Sequence, residues 1–311
     1  MKGIHTILGA GGAISSNLVP VLLKHGEKVR LVSRSGKTAP HCESRSADVR
    51  HATSLKKAIE GSAIVYLLVG LEYKTSVWQK EWPVIMRHVI DACSEANIPL
   101  VFFDNVYMYG HVTGPMTEET PFHPASKKGR VRAEIADMLL QEMNAGKIRA
   151  LIARSADFYG PYAEGMSFFH QLLLKNQRAG KKGQWMMDAH VPHSMTYTPD
   201  AAAALYALAC DESAYGQTWH LPTSSPALTG EQLAGIAAKF TKGKAHISVL
   251  SKFMMQLAGI FIPVIRESIE MLYQYDSSYV FDSSKFEKHV GWKATTYEDG
   301  IRDTERFYAQ Q

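Results

Sequence analysis

The chain has 311 residues, 46% of them hydrophobic and 21% charged, a composition typical of a globular protein with one large domain or a domain and a smaller companion. Its formal net charge of +4 is small for this length and gives no reason to expect nucleic acid as a partner. The cysteines Cys42, Cys93 and Cys210 are far apart and odd in number. We therefore expect reduced thiols in a cytoplasmic protein rather than a disulfide framework or a metal site.

The first predicted strand begins almost at Met1, so we expect no targeting segment. The most apolar later stretch, Phe253–Ile265, contains Gln256 and Pro263 and falls short of a membrane span. We predict a buried helix there and no membrane partner. A lid that touches an apolar substrate, or a contact with a partner, is the alternative.

In chain order, short β-like runs alternate with helical patterns through residues 1–160. The predicted strands are Thr6–Leu8, Lys28–Val32, Ala63–Val69, Leu100–Phe103 and Ala150–Arg154, with another before Asp48. The predicted helices are Ile14–Lys24, Leu55–Glu60, Trp82–Ala96 and Val131–Met143. Near-continuous apolar strands separated by helices predict an α/β fold with a doubly wound parallel (Rossmann) sheet.

After about residue 160 the alternation loosens. Helices are predicted at Ser167–Lys175, Ala201–Ala209, Glu231–Lys239, Arg266–Gln274 and Asp299–Tyr308. Short strands are predicted at Met195–Thr198, Thr218–Leu221, Ile247–Leu250 and Tyr279–Phe281. We expect residues 161–311 to form mainly a smaller α+β substrate lobe, with segments that interleave with the first domain.

The most informative segment is the glycine turn between the first strand and the first helix. Gly9, Gly11 and Gly12 let the backbone turn tightly and approach a phosphate closely, and the free N–H groups of the helix start at Ala13 and Ile14 attract negative charge. We predict that these five residues bind the pyrophosphate of a dinucleotide.

The end of the second strand discriminates between NAD and NADP. A carboxylate there bonds the free ribose of NAD, whereas a cation accommodates the 2′-phosphate of NADP. Here Ser33 and Arg34 end the strand, Lys37 follows, and the first acidic residue after it is Glu43. We therefore predict NADP(H), with NAD(H) as the alternative.

Two further groups of positions are predicted to touch the cofactor. Asp48 and Val49 follow the third strand and are placed to contact the adenine. Leu68, Val69 and Gly70 end the fourth strand and would pass near the middle of the cofactor.

With these landmarks the chain resembles the extended short-chain dehydrogenase/reductase family, the group of NAD-dependent epimerases and dehydratases. Gly9-x-x-Gly12-x-x-Ser15 is similar to the family's Gly-x-x-Gly-x-x-Gly, and Phe103–Gly110 occupies the place of its Ser-Ser-x-x-x-Tyr-Gly segment. Arg154–Pro161 is similar to the Arg-Pro-x-x-x-Tyr-Gly-Pro segment near the nicotinamide, which implies cofactor contacts from Ser155 and Phe158. Tyr197–Ala202 and the later Gly291-Trp292 match landmarks further along, so the likeness covers nearly the whole chain.

The family's catalytic positions are changed in this chain. The resemblance places Ser126 at the position of the acid/base Tyr, Arg130 at that of the Lys four residues later, and Asn105 at that of the substrate-positioning Ser. A serine hydroxyl ionises far above the phenol's pKa of about 10, so Ser126 is a poor substitute. Arg130 can bond ribose hydroxyls but keeps its proton, and Asn105 can polarise a carbonyl oxygen.

Tyr107 is the best substitute proton donor that the sequence offers. If the segment is extended, alternation places residues 105, 107 and 109 on one side, and Tyr109 matches a family position that is usually structural. His123, Asp104 and Asp157 are weaker alternatives.

Lys127 and Lys128 are expected to form a solvated helix start or to touch an anionic substrate. The histidines show no set of convergent ligands at short spacing, so no metal is expected.

Two functions fit these observations. The first is an NADP-dependent oxidoreductase or epimerase-like enzyme that acts on a small carbonyl or sugar-like molecule with atypical proton transfer. The alternative is a catalytically impaired NADP(H)-binding sensor or regulatory protein. The small-molecule substrate is unidentified, and a homodimer would suit the family.

Overall fold

Parallel strands form the central sheet of the computed structural model, which describes residues 3–311. In chain order the strands are β1 (Ile4–Leu8), β2 (Lys28–Ser33), β3 (Cys42–Ser46), β4 (Ser62–Leu67), β5 (Leu100–Asp104), β6 (Ala150–Arg154), β7 (Asp157–Tyr159), β8 (Lys182–Met186), β9 (Pro192–His193), β10 (Met195–Tyr197), β11 (Thr218–His220), β12 (Leu228–Thr229) and β13 (Lys244–Leu250). The seven strands of the main sheet run in the order β3-β2-β1-β4-β5-β6-β11. This confirms the predicted doubly wound α/β fold.

The helices cover both faces of this sheet. In chain order they are α1 (Ala13–Lys24), α2 (Ala52–Ile59), α3 (Thr75–Glu95), α4 (Lys127–Asn144), α5 (Lys175–Arg178), α6 (Thr198–Ala209), α7 (Gly230–Ala238), α8 (Lys252–Phe261), α9 (Pro263–Ser268), α10 (Ser284–Val290) and α11 (Tyr297–Ala309). Buried side chains of α2, α3 and α4 form one core layer with the strands. Those of α1 and α6 form the other. Burial on both faces explains why the strands are almost continuously apolar.

Helix α3 begins at Thr75, seven residues before the predicted start at Trp82. Pro83 lies inside it and removes one backbone donor from the helix. The buried side chains of Trp78, Trp82 and Ile85 follow helical spacing across the proline and pack in the core. Tertiary burial therefore carries the helix through a residue that local propensity disfavours.

The later half of the chain contributes to the main sheet as well as to a smaller lobe. Strand β11 pairs in parallel with β6, and helix α6 packs against α1. A separate core contains residues of β8, α7 and α11, among them Trp185, Leu233 and Ile301. The predicted domain boundary at about residue 160 stays a prediction, and the interleaving of later segments with the first domain was part of that prediction.

Two predicted helices differ in type. Ser167–Lys175 appears as a π-helical segment, Phe169–Leu174, which continues into α5. Arg266–Gln274 begins within α9 and continues as a 3₁₀ segment, Ile269–Gln274. The predicted strand Tyr279–Phe281 forms isolated bridges only.

The predicted burial of Phe253–Ile265 is wrong. Phe253 is 73% exposed and Phe261 80% exposed, and on α8 only Met255 and Gly259 are buried. A Cβ atom at Gly259 would lie 3.1 Å from the Arg266 Cα, so α8 rests on the start of α9 through its smallest residue. Apolar composition predicted a core position, but the fold places no further layer over this helix.

Candidate functional site

The glycine loop after β1 is fixed between the ends of two neighbouring strands. The N–H groups of Gly9 and Ala10 donate to the Val32 carbonyl at 3.0 and 3.2 Å, which ties the loop to β2. On the other side, a Cβ atom at Gly9 would lie 2.6 Å from the Leu68 carbonyl oxygen, and Gly9 has φ +102°. Only glycine fits this contact, because both the conformation and the space exclude a side chain.

Helix α1 begins at Ala13, and its N-cap residue, Gly12, provides no side-chain hydrogen bond. Its first residues, Ala13 and Ile14, are buried. The Gly11 N–H donates to the Ser15 hydroxyl at 2.9 Å, and that hydroxyl donates to the Gly12 carbonyl at 2.9 Å. Ser15 thus stiffens the turn, which explains its place where the family pattern has a third glycine. A helix start without a side-chain cap, reached by a glycine turn, fits a pyrophosphate.

Two cations follow the end of β2, and one of them lies over the glycine loop. Arg34 is exposed, and its carbonyl accepts from the Ser46 hydroxyl at 2.9 Å. Lys37 reaches back over the loop, because a Cβ atom at Gly11 would lie 3.0 Å from the Lys37 Nζ. The Ser33 hydroxyl accepts the Lys37 N–H at 2.8 Å and fixes this turn.

The predicted adenine contact, Asp48, is held by its own neighbour. Its carboxylate accepts from the Arg50 Nη2 at 2.5 Å and Nε at 2.9 Å, and these hydrogen bonds lower the pKa of Asp48 to about 2. Val49 is half-buried beside it.

After β4, Leu68 and Val69 are half-buried and Gly70 is exposed. These three residues follow the end of β4, where Gly9 of the glycine loop lies close to the backbone. The predicted contacts of Asp48, Val49, Leu68, Val69 and Gly70 with a cofactor stay predictions.

The segment after β5 is not extended as predicted. Tyr107–Tyr109 forms a 3₁₀ turn, started by the Asn105 Oδ1, which accepts the Tyr107 N–H at 3.1 Å. The alternation argument for residues 105, 107 and 109 is therefore wrong, because a 3₁₀ turn rotates successive side chains by about a third of a circle. Tyr109 is buried and bonds the His220 Nε2 at 2.8 Å and the Arg154 Nη1 at 2.7 Å.

Ser126 is the N-cap of helix α4. It is buried, and its hydroxyl accepts the Gly129 N–H at 2.9 Å. Arg130, one turn later, is exposed, and its side chain has no partner among residues 3–311. Ser126 thus has a structural task, and Arg130 remains free to meet a ligand.

Lys128 is not solvated, contrary to prediction. Its side chain is 0% exposed, and its Nζ donates to the Thr75 Oγ1 at 2.8 Å and lies 3.0 Å from carboxylate oxygens of Glu267 and Glu270. The Lys127 N–H also donates to Glu270 at 2.6 Å. Helix α4 therefore uses its second cation, Lys128, to hold the segment around α9, since burying a charge requires partners.

A small cleft lies beside the 3₁₀ turn. Its lining side chains are mostly aromatic or apolar: Tyr73, Tyr107, Asp157, Phe168, Met186, Ser268, Met271, Leu272, Gln274 and Tyr275. Asp157, at the start of β7, accepts from the Tyr275 hydroxyl at 2.6 Å and lies 3.1 Å from the His193 Nε2. Burial, and then the charge of Asp157, raise the pKa of Tyr107.

His193 is buried between two tyrosine rings, with centroid distances of 4.5 Å to Tyr275 and 4.4 Å to Tyr279. Sequence patterns did not single out Tyr73, Tyr275 or His193 as site residues. The signal that the sequence offered for this part of the site was the pair of tyrosines on either side of Gln274, Tyr273 and Tyr275. Asp157 was a weak alternative for a base and proves to be the charged group of the cleft.

Asp104 and His123 lie elsewhere. Asp104 is buried and paired with Arg132 and with Arg154, so its carboxylate is neutralised. His123 is exposed in its loop. Ser155 is buried, with its hydroxyl on the Ala156 carbonyl at 2.7 Å.

Phe158 is half-buried in β7, next to Asp157. Like Ser155, it follows the carboxyl end of β6. The cofactor contacts of Ser155 and Phe158 stay predictions.

Residues 5–219 match the sequence model of the NAD dependent epimerase/dehydratase family. A curated relative, 3β-hydroxysteroid-dehydrogenase/decarboxylase isoform 2 of Arabidopsis thaliana, is 21% identical over 93% of this chain. The alignment covers 56% of that protein, so the chain spans about half the length of the curated relative it matches.

Solved structures share the fold over the whole chain. The dTDP-glucose 4,6-dehydratase of Bacillus anthracis, in complex with NAD, has a TM-score of 0.80 at 16% identity and covers 99% of this chain and 97% of its own. The UDP-glucose 4-epimerase of Thermotoga maritima, with UDP-glucose, has a TM-score of 0.80 at 15% identity, covering 99% of both chains.

Proposed function

Because the chain belongs to the NAD dependent epimerase/dehydratase family, we propose that it is an NAD(P)-dependent oxidoreductase or epimerase-like enzyme with proton transfer outside the Tyr-x-x-x-Lys pattern. Its glycine loop binds a nicotinamide dinucleotide, which supplies or accepts a hydride when bound. The observation that carries the proposal is that Tyr107 and Asp157 line one cleft near the ends of β5 and β6. Ligands bind at this edge in doubly wound sheets.

Tyr107 is the proposed proton donor. Its raised pKa keeps the hydroxyl protonated at neutral pH, so it is ready to act as an acid in the reductive direction. An alkoxide is a stronger base than a phenolate, so proton transfer from Tyr107 to a newly formed alkoxide oxygen is favourable. Asn105, whose Oδ1 already accepts from the backbone N–H of Tyr107, retains its amide donors to polarise the carbonyl.

The lining of the cleft favours a neutral substrate group. Asp157 is the one formally charged side chain in that lining, and Lys128 nearby is paired with Glu267 and Glu270. A small carbonyl or a sugar ring fits hydroxyl and aromatic surfaces, whereas a second anionic group would meet a carboxylate. The solved relatives that act on dTDP-glucose and UDP-glucose support a sugar-like substrate.

The test is a turnover screen with sugar nucleotides, free sugars and small carbonyls that follows the absorbance of the reduced cofactor for net oxidation or reduction, and product formation by chromatography for redox-neutral turnover. On the best substrate, Tyr107→Phe should lower kcat by about a hundredfold to a thousandfold, because general-acid catalysis contributes that much. The matched control is Tyr162→Phe, which removes a hydroxyl from a tyrosine that is 47% exposed. Equal kcat values for Tyr107→Phe and the unmodified enzyme would show that Tyr107 is not the acid.

The changes at Ser126 and Arg130 favour a second function, a cofactor-binding sensor or regulatory protein without turnover. Tight cofactor binding with no activity across the whole panel would support the sensor and argue against the enzyme.

We propose NADP(H) as the preferred cofactor. Arg34 and Lys37 support this choice, because both are cations that follow the end of β2, where a 2′-phosphate needs charge, and Lys37 also lies over the glycine loop. The NAD found with the dehydratase of Bacillus anthracis supports the alternative.

Isothermal titration should show tighter binding of NADPH than of NADH. Arg34→Asp should narrow or reverse the difference, since a carboxylate repels the 2′-phosphate and accepts from a free ribose. Arg45→Asp, on β3 and paired with Glu43, is the control for loss of a surface cation. Equal affinities in the unmodified protein would refute the proposed preference.

A further inference from the structure

Helix α8 and the turn into α9 carry an apolar surface, which we call the α8–α9 face. It consists of exposed side chains from seven residues: Phe253, Met254, Leu257, Ile260, Phe261, Ile262 and Val264. Twelve large hydrophobic side chains are exposed among the described residues, and seven of them belong to this face. Such concentration differs from the scattered apolar residues of an ordinary surface and indicates an interaction site.

Helix α8 has one exposed apolar side and one side that packs on the protein. Phe253, Leu257 and Ile260 follow helical spacing and are 73%, 53% and 65% exposed, while Met255 and Gly259 are buried on the opposite side. No helix of residues 3–311 is long and apolar enough to cross a membrane. With ten residues, α8 is about 15 Å long. Its geometry suits a helix that lies in a surface rather than one that spans a bilayer.

The charges around the α8–α9 face have one sign. Residues 241–266 contain Lys242, Lys244, Lys252 and Arg266, all exposed, and no Asp or Glu. Lys252 and Arg266 stand directly at the two ends of the apolar stretch. An apolar face bordered by cations complements the acyl and headgroup layers of an anionic bilayer.

A second copy of the chain is a poorer complement. A two-fold dimer through the α8–α9 face would bring the same cations of two copies together. The next acidic residues along the chain, Glu267 and Glu270, are partly buried and each has a carboxylate oxygen 3.0 Å from the Lys128 Nζ, so they are engaged within the fold rather than offered to a second copy.

We infer that the α8–α9 face binds the surface of an anionic lipid bilayer. Phe253 and Phe261, the two most exposed of its side chains, enter the boundary between headgroups and acyl chains. Lys252 and Arg266 contact the anionic headgroups. The protein thus associates peripherally with membranes through a part of the chain that does not line the glycine loop.

The test is flotation of the full chain with two kinds of vesicle. One contains phosphatidylcholine alone, and in the other about a third of the lipid is phosphatidylserine. Binding should require the anionic lipid and should weaken between about 0.1 M and about 0.5 M salt, because salt screens the charges. Phe253→Ser combined with Phe261→Ser should lower the partition coefficient about tenfold or more, since binding scales with buried apolar area. Lys252→Glu combined with Arg266→Glu should abolish the preference for anionic vesicles.

The matched control is Val84→Ser combined with Met166→Ser, which removes apolar side chains that are 43% and 54% exposed elsewhere. It should leave vesicle binding unchanged. Thermal unfolding and cofactor affinity report whether each variant is folded. Because the substituted side chains are exposed, we expect the variants to fold like the unmodified protein. Failure of the unmodified protein to bind anionic vesicles overturns the inference, as does binding that survives Phe253→Ser with Phe261→Ser. A dimer that this double variant dissociates, without vesicle binding, would assign the face to a second copy instead.

Discussion

Ser126 stands at the position where the family resemblance places a catalytic tyrosine, and its hydroxyl satisfies the Gly129 N–H at 2.9 Å. A hydroxyl used as a helix cap, with a pKa far above that of a phenol, is a poor proton donor. The adjacent loss of the family's lysine leaves Arg130, which keeps its proton. At the residue scale, the proton therefore has to come from another element, and Tyr107 is the proposed donor.

Ser126→Ala should lower the free energy of unfolding by about 1 kcal/mol, the usual cost of a lost N-cap. The kcat per folded molecule should stay nearly the same. Urea unfolding and turnover measure the two effects separately, and Ser126→Asp, which preserves the cap, is the control. A loss of kcat near a thousandfold in Ser126→Ala would show that the hydroxyl takes part in chemistry.

At the element scale, one buried cation holds three helical segments together. Lys128 of α4 bonds Thr75 at the start of α3 and the carboxylates of Glu267 in α9 and Glu270 in the 3₁₀ segment after it. That 3₁₀ segment supplies Met271, Leu272 and Gln274 to the cleft. The same contact that neutralises Lys128 therefore positions one wall of the candidate site.

Lys128→Met should destabilise the protein at neutral pH by about 3 kcal/mol, because two partly buried carboxylates lose their partner. Burial alone raises the pKa of Glu267, but hydrogen bonds from Thr75 and Lys128 lower it to about 2. A depressed pKa contributes stability above the unfolded value of about 4.3, and this stability disappears as the pH falls towards 2.

The difference in unfolding free energy between the unmodified protein and Lys128→Met should therefore be full at pH 7 and shrink below about pH 4. Urea titrations at several pH values measure it. Lys127→Met is the control, because the Lys127 side chain is exposed and its contact with Glu270 uses the backbone N–H. A difference that stays constant down to about pH 2 would contradict the role of the ion pairs.

At the scale of the whole molecule, strand order places the functional residues together. Strands β2 and β3 lie on one side of β1, and β4 lies on the other. The ends of β1 and β4 therefore meet at the glycine loop. Strand β11 joins the far edge, and the segments beyond β6 fold back towards the ends of β5 and β6. The family that the motifs indicated is confirmed by a match over residues 5–219.

Local patterns were sufficient for most of the sheet domain. Strand β6 was predicted at its observed bounds, and β1, β2, β4 and β5 within one to two residues at each end. The glycine loop was predictable because its chemistry lies in consecutive residues. The predicted helix α3 was too short, because Pro83 disfavours a helix locally. In the fold, the burial of Trp78 stabilises the helix ahead of the proline.

The sequence by itself determined the sheet, the glycine loop and the absence of the Tyr-x-x-x-Lys pattern, because each is written in neighbouring residues. Only the tertiary structure decided that Asp157 meets Tyr275, 118 positions away, and that Lys128 is buried against Glu267. It also decided that α8 is exposed. Contacts across the fold depend on which surfaces the sheet order brings together, and hydrophobicity alone cannot tell whether a neighbour arrives to cover an apolar helix.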